Sequence, residues 1–209
     1  MASTPYIVTK GIVLRETETK EADKILTLLT HDRGKISVIA RGVRRKGCKY
    51  AACAQPLVYS EWTLYQKGDW YYANEGITIE LFRGLQTDLD AMALGFYFAE
   101  MTEAVAAEET PAQEMLRHLL NGLYALSALH KPQALVKAAF EIKLLCLAGY
   151  EPLADSCAYC GCPEPEQPLR VSVNYMPQGG QRTGAKRHGQ GTLSYAAGAA
   201  PENALHNIE

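Results

Sequence analysis

The chain lacks any apolar run of about 18 residues, so no transmembrane helix is expected. Its first residues, Met1-Ala2-Ser3-Thr4-Pro5, have no basic start and no long apolar core, and no secretory signal is expected. Six cysteines in 209 residues are too few for a disulfide scaffold, which favours thiols or metal ligands in a reducing cytosol. Catalytic signatures are missing too: there is no Gly-rich phosphate loop, no nucleophile elbow and no paired-carboxylate motif. An enzyme is therefore the least supported class. His31 falls in a turn, and His118 and His130 fall in helical territory, where a surface or satisfied core role is the simpler reading.

What is present can fold. The composition is 47% hydrophobic and 21% charged, enough to bury a core and unlike a disordered chain. The net charge of -2 hides an uneven distribution. From Arg33 to Lys49 there are seven bases and no acid, including the cluster Arg44-Arg45-Lys46, whereas residues 83–156 carry five bases against ten acids. A local cationic segment on an acidic body attracts polyanions while limiting indiscriminate adhesion. A solvated surface loop is the plain alternative.

The pattern of the chain divides it. Residues 6–15, 25–30, 35–41, 57–66 and 70–81 read as strands, with a turn at Lys67-Gly68-Asp69 and a long connection over 42–56. Gly11 inside the first strand suggests a bulge or bend. Five short strands in so little chain fit a small closed barrel. Helical spacing then begins near Thr87, with Leu89, Met92, Phe96, Ala99 and Val105 as the expected apolar stripe. Pro111 opens a second helix (Met115, Leu119, Leu123, Leu126), and Pro132 opens a third (Leu135, Ala139, Ile142, Leu145, Cys146) that stops at Gly149. Beyond residue 167 the chain is rich in Gly and Ala and has no clear period.

Cys157-Ala158-Tyr159-Cys160-Gly161-Cys162 has the spacing of half a zinc knuckle; a vestigial knuckle is the plainer reading, and a redox C-x-x-C a third, without a βαβ pattern to support it. Zinc needs four ligands, and no second C-x-x-C follows. Cys162 and His188 are the remaining candidates, and metal binding through them is expected to be weak. Cys48, Cys53 and Cys146 read as ordinary thiols.

Several short strings in order carry a resemblance. They are Gly11-Ile12-Val13-Leu14-Arg15, Glu21-Ala22-Asp23-Lys24-Ile25-Leu26, Gly34-Lys35-Ile36-Ser37-Val38-Ile39-Ala40-Arg41-Gly42-Val43-Arg44-Arg45 and Gln55-Pro56-Leu57. Further on, Leu147-Ala148-Gly149-Tyr150-Glu151-Pro152 leads into the cysteine knuckle. Over about residues 5–166 the sequence resembles the bacterial recombination-mediator family RecO. The resemblance implies an α+β multidomain protein, with an OB-fold barrel over 1–82, a helical domain over 83–156 and a zinc module. This sequence departs from the family in having only a partial knuckle over 157–167, followed by a Gly- and Ala-rich, irregular tail over 168–209. The resemblance also implies DNA strand annealing in a cytoplasmic, nucleoid-associated setting. The partners it implies are RecR, single-strand binding protein and, indirectly, a recombinase.

On this reading the cations for single- and double-stranded DNA are Arg15, Lys24, Lys35, Arg41, Arg44, Arg45, Lys46 and Lys49. Candidate base-stacking residues are Tyr50, Tyr59, Trp62, Trp70 and Tyr72, some of which must fill the barrel. The acidic, apolar tail of single-strand binding protein would meet Lys137, Phe140 and Lys143 on the third helix. Zinc, if held, would sit on Cys157 and Cys160. An RNA-binding factor on the same barrel and a non-catalytic scaffold are the alternatives from other classes.

Overall fold

A computed structural model of the chain describes residues 6–19 and 21–150, together with the backbone of 169–170 and 194–195. The cysteine knuckle Cys157, Cys160 and Cys162, and His188, lie outside the described residues.

Five strands close into a barrel: β1 (Tyr6–Thr19), β2 (Asp23–Thr30), β3 (Gly34–Ala40), β4 (Tyr59–Lys67) and β5 (Trp70–Glu80). Their order around the wall is β1-β2-β3-β5-β4. All pairs are antiparallel except β3–β5, where Val38 faces Tyr71 and Ile39 faces Tyr72 in parallel register. This is the five-stranded OB-type barrel, and closure leaves no free sheet edge.

β1 does the closing because it is long. Its first half pairs with β4 and its second with β2, and the register slips between Val13 and Arg15. The bulge therefore lies at Leu14 and not at Gly11. Gly11 answers a different demand: a Cβ there would approach the Leu29 carbonyl oxygen to 2.9 Å. Alternation along β1 serves two cores. Val13 enters the barrel with Leu26, Leu28, Val38, Trp62 and Leu64, while Ile12 and Leu14 face the helices with Leu29 and Leu57.

The connection over 42–56 is a chain of turns plugged into one end of the barrel. Val43, Tyr50, Cys53 and Ala54 are buried in the barrel core. The loop returns to the wall at Leu57, which adopts φ 62, a strained value for a branched residue. Hydrogen bonds from Leu57 N to Val13 O (2.9 Å) and from Val13 N to Val58 O (3.3 Å) hold that re-entry beside the β1 bulge. The strand expected from residue 57 thus begins at Tyr59.

A 3-10 turn (Arg83–Thr87) leads into α1 (Leu89–Val105), α2 (Gln113–Ser127) and α3 (Gln133–Leu147). Asp88 caps α1, its Oδ1 accepting from Asp90 N and Ala91 N at 3.0 and 3.1 Å. The face α1 buries is Ala91, Gly95, Phe98, Ala99 and Thr102; of the expected stripe Ala99 is buried and Val105 packs against the core, whereas Leu89 and Phe96 are exposed. The cause is local packing. Gly95 lets α1 approach Leu57, Leu85 and Leu123, and Phe98 then stacks on Phe140 with centroids 3.9 Å apart. α2 buries Leu116, Leu119, Leu123 and Leu126, close to expectation. α3 is apolar on more than one side, and it turns Val136, Phe140 and Leu144 inward while Leu135 and Ile142 stay exposed. Each fully buried side chain of this size contributes about 1.5–3 kcal/mol.

Residues 1–144 form one compact unit and residues 145–209 a second. In the second, the backbone leaves α3 through Gly149 at φ 86, whose N–H donates to Cys146 O at 3.0 Å. Leu169–Arg170 (β6) pairs antiparallel with Ser194–Tyr195 (β7). Among the described residues no helix is long and apolar enough to cross a membrane, and no group of three metal-ligating side chains converges.

Candidate nucleic-acid interface

The plugged loop determines where the cations go. Its apolar residues point into the barrel, so Arg44, Arg45, Lys46 and Lys49 are left on the outside. The backbone is fixed by several contacts. Gly42 N donates to Asp23 Oδ1 at 2.7 Å, Arg44 N to Ala22 O at 3.1 Å and Arg45 N to Gly42 O at 2.9 Å. Tyr50 Oη donates to Arg41 O at 2.7 Å, and burial pushes the Tyr50 phenol up to about 12. Tyr50 therefore stays a neutral donor. The cationic segment is thus a held surface, not a free tether.

The eight sequence-selected cations separate into distinct settings. Arg15 Nη2 lies 2.7 Å from Glu103 Oε1 on α1. Lys35 Nζ donates to the Glu103 carbonyl at 3.0 Å, in the last turn of a helix that has no base of its own there. Both therefore dock the barrel on α1. Lys24 is largely covered and pairs with Glu16 at 2.7 Å, and Arg44 pairs with Glu18 at 3.0 Å in the open. Arg45, Lys46 and Lys49 are exposed and make no ion pair among the described residues. Arg41 is exposed as well, and its guanidinium lies over the Tyr72 ring at 4.6 Å. The cluster available to an external polyanion is Arg41 and Arg44 to Lys49.

The aromatic residues sort in the same way. Trp62 and Tyr50 pack against each other inside the barrel, and Tyr59 packs against the helical core. Trp70 is 46% exposed beside the β4–β5 turn. Tyr72 lies in an outer row that sequence reasoning missed: Tyr6, Tyr65 and Tyr72 occupy facing positions on β1, β4 and β5. Tyr65 and Tyr72 stack at 5.2 Å, and Tyr6 meets Tyr65 edge-on at 6.5 Å. Period-two alternation could have placed Tyr65 on the outer face, since Trp62 and Leu64 point inward, but the row itself follows only from the strand register.

On the helices, Lys137 lines an open groove of about 430 Å³ between α1 and α3, with Leu94, Tyr97 and Ala134. Lys137 Nζ lies 2.6 Å from Glu141 and 5.2 Å from the centre of the Tyr97 ring. Tyr97 Oη donates to the same Glu141 oxygen, so Lys137 and Tyr97 together hold that carboxyl below its ordinary range. Phe140 does not reach this surface: it is buried between Phe98 and His118. Lys143 is exposed but is not part of the groove lining.

Comparison with known proteins agrees with this architecture. The family described as recombination protein O N terminal matches residues 1–82, and that described as recombination protein O C terminal matches residues 86–209. The second match continues past the residue-166 limit of the sequence strings. The DNA repair protein RecO of Acetivibrio thermocellus is 37% identical over 156 residues, covering 75% of this chain and 62% of that protein. That of Caldicellulosiruptor bescii is 37% identical over 154 residues, covering 74% and 63%. The Clostridium novyi protein of the same name is 29% identical over 189 residues, covering 90% and 73%. The chain spans just under two thirds of the length of the first two of these relatives.

Proposed function

The chain belongs to the recombination protein O family, and from that premise we propose that it is a non-catalytic DNA-binding mediator of recombinational repair in the cytoplasm. The observation that carries this reading is the held loop from Arg41 to Lys49. Its exposed cations stand on an OB-type barrel joined to an acidic helical region. Cations that face backbone phosphates bind without reading bases, and they lower the repulsion between two strands that approach the same surface. Annealing follows from that screening and needs no reacting group.

The groove between α1 and α3 supports a partner role. An acidic, apolar peptide end, such as the tail of single-strand binding protein, would place apolar side chains against Leu94, Ala134 and the Tyr97 ring. Its carboxylates would lie near Lys137 at the rim. RecR and, indirectly, a recombinase complete the proposed set of partners. Zinc would require Cys157 and Cys160 with Cys162 and His188, a donor set spread over a long loop, and weak retention is the proposal.

The reading is tested by annealing of two complementary oligonucleotides, one labelled at each end. The chain is expected to accelerate duplex formation at low salt and to lose that effect as salt rises. Equal rates with and without protein would reject it. Faster annealing of matched RNA than of DNA would favour an RNA factor, because 2′-OH contacts distinguish the two.

A further inference from the structure

The outer aromatic row ends on a guanidinium, and that end is open. Tyr65 and Tyr72 lie within 14° of parallel, and the Arg41 guanidinium carbon lies over the Tyr72 ring, 4.6 Å from its centre. Tyr6, edge-on to Tyr65, braces the far end of the column. The column is assembled from three strands in fixed register: Tyr6 faces Tyr65, Tyr65 faces Tyr72, and Ile39, two residues before Arg41, faces Tyr72. Its arginine end is also held, because the Arg41 carbonyl accepts from buried Tyr50.

A guanidinium that only neutralised phosphates would not need this support. Arg41 makes no ion pair among the described residues, while its neighbour Arg44 pairs with Glu18. Arg41 is exposed while its guanidinium lies over the Tyr72 ring, so a face of the guanidinium remains open to an external group. That face is polarisable and cationic, and it suits the π-face of a nucleobase. We propose that the Tyr65–Tyr72–Arg41 column is a stacking site for an unpaired nucleobase, which selects single-stranded nucleic acid at the edge of the cationic loop. The inference rests on the reading of that loop as a nucleic-acid interface.

Bases inside a duplex are stacked on one another and offer no free face, so a duplex engages the loop alone. An unpaired base continues the aromatic column while its flanking phosphates lie toward Arg44 to Lys49. Every base has a π-face, so this selection discriminates strandedness and not sequence.

The test compares two labelled strands of equal length and charge, an oligothymidylate and one with abasic residues throughout, binding to the full chain. The wild type is expected to bind the oligothymidylate about tenfold more tightly. Arg41→Lys keeps the charge and removes the plane, and with Tyr72→Leu it is expected to bring that ratio close to one. Abasic-strand binding should then stay within about twofold of wild type. The triple loop variant Arg44→Ala, Arg45→Ala, Lys46→Ala should weaken both strands together. Equal wild-type binding of the two strands, with the loop variant still weakening both, overturns the stacking site and leaves the loop reading standing. Binding of neither strand by the wild type overturns the loop reading and the stacking site with it. Thermal melting of each variant confirms folding, and should Tyr72→Leu unfold, the surface change Arg41→Lys decides alone.

Discussion

Arg15 on β1 is paired with Glu103 on α1 at 2.7 Å, so a cation of the basic N-terminal segment is used to join barrel and helix. Lys35 reaches the same residue through its carbonyl. Substituting Arg15 or Lys35 by Ala is therefore expected to cost at most about 1 kcal/mol of stability, because both contacts are partly exposed. Single-strand affinity should stay within about twofold. Arg45→Ala is expected to leave stability unchanged and to reduce the salt slope of binding by roughly 0.7. Urea denaturation and anisotropy titrations read the two quantities. A larger affinity loss at Arg15 than at Arg45 would place the DNA elsewhere on the barrel.

Phe140 is core. It is 2% exposed and packed between the Phe98 and His118 rings. Phe140→Ala is expected to lower the unfolding free energy by about 3–5 kcal/mol, measured by urea denaturation. A loss under about 0.5 kcal/mol would instead mark a surface side chain open to a partner.

His118 ties stability to pH. Burial holds its pKa below the ordinary 6.5, against the opposing hydrogen bond with the Phe140 carbonyl, and the Lys143 charge adds to the lowering. The unfolded chain then binds more protons than the folded one as pH falls below 6.5. Stability is thus complete above that value and declines below it. Replacing His118 by Gln should flatten the decline between that pH and the lowered folded value, with melting midpoints as the readout. A slope identical to wild type would assign the acid sensitivity to other groups.

On the proposed reading, zinc retention would be limited by ligand supply. Four ligands can supply on the order of 10 kcal/mol, but closure here would have to bring together residues as far apart in sequence as Cys162 and His188. Elemental analysis is expected to give well under one zinc per chain, removed by a mild chelator without change in barrel melting. One tightly held zinc per chain, lost on Cys157→Ser, would contradict this.

Much of the barrel is legible in the sequence because alternation is visible where one face is solvated. Lys35 to Arg41 shows it, and the structure forms β3 over Gly34–Ala40. The parallel β3–β5 pair joins residues far apart in sequence and leaves no local mark. The face of α1 was only partly assigned, and that of α3 misassigned, for a related reason. Where a helix is apolar on several sides, a small residue such as Gly95 decides which side fits its neighbour, and that depends on Leu57 and Leu123 from other elements. The basic segment was legible as charge, but its division was not. Nothing near Arg15 or Lys35 in sequence announces Glu103. The aromatic column needed the register of three strands before Tyr6 and Tyr65 could join Tyr72.

The central claim is that the loop from Arg41 to Lys49 binds DNA through its phosphates, and the salt dependence of single-strand binding tests it most directly. With about four to six phosphates neutralised, the logarithm of the association constant should fall against the logarithm of salt with a slope of roughly −3 to −4. In the folded variant Arg44→Ala, Arg45→Ala, Lys46→Ala the slope should flatten by roughly 2, with weaker binding to every sequence. Unchanged affinity and slope in that variant would contradict the account.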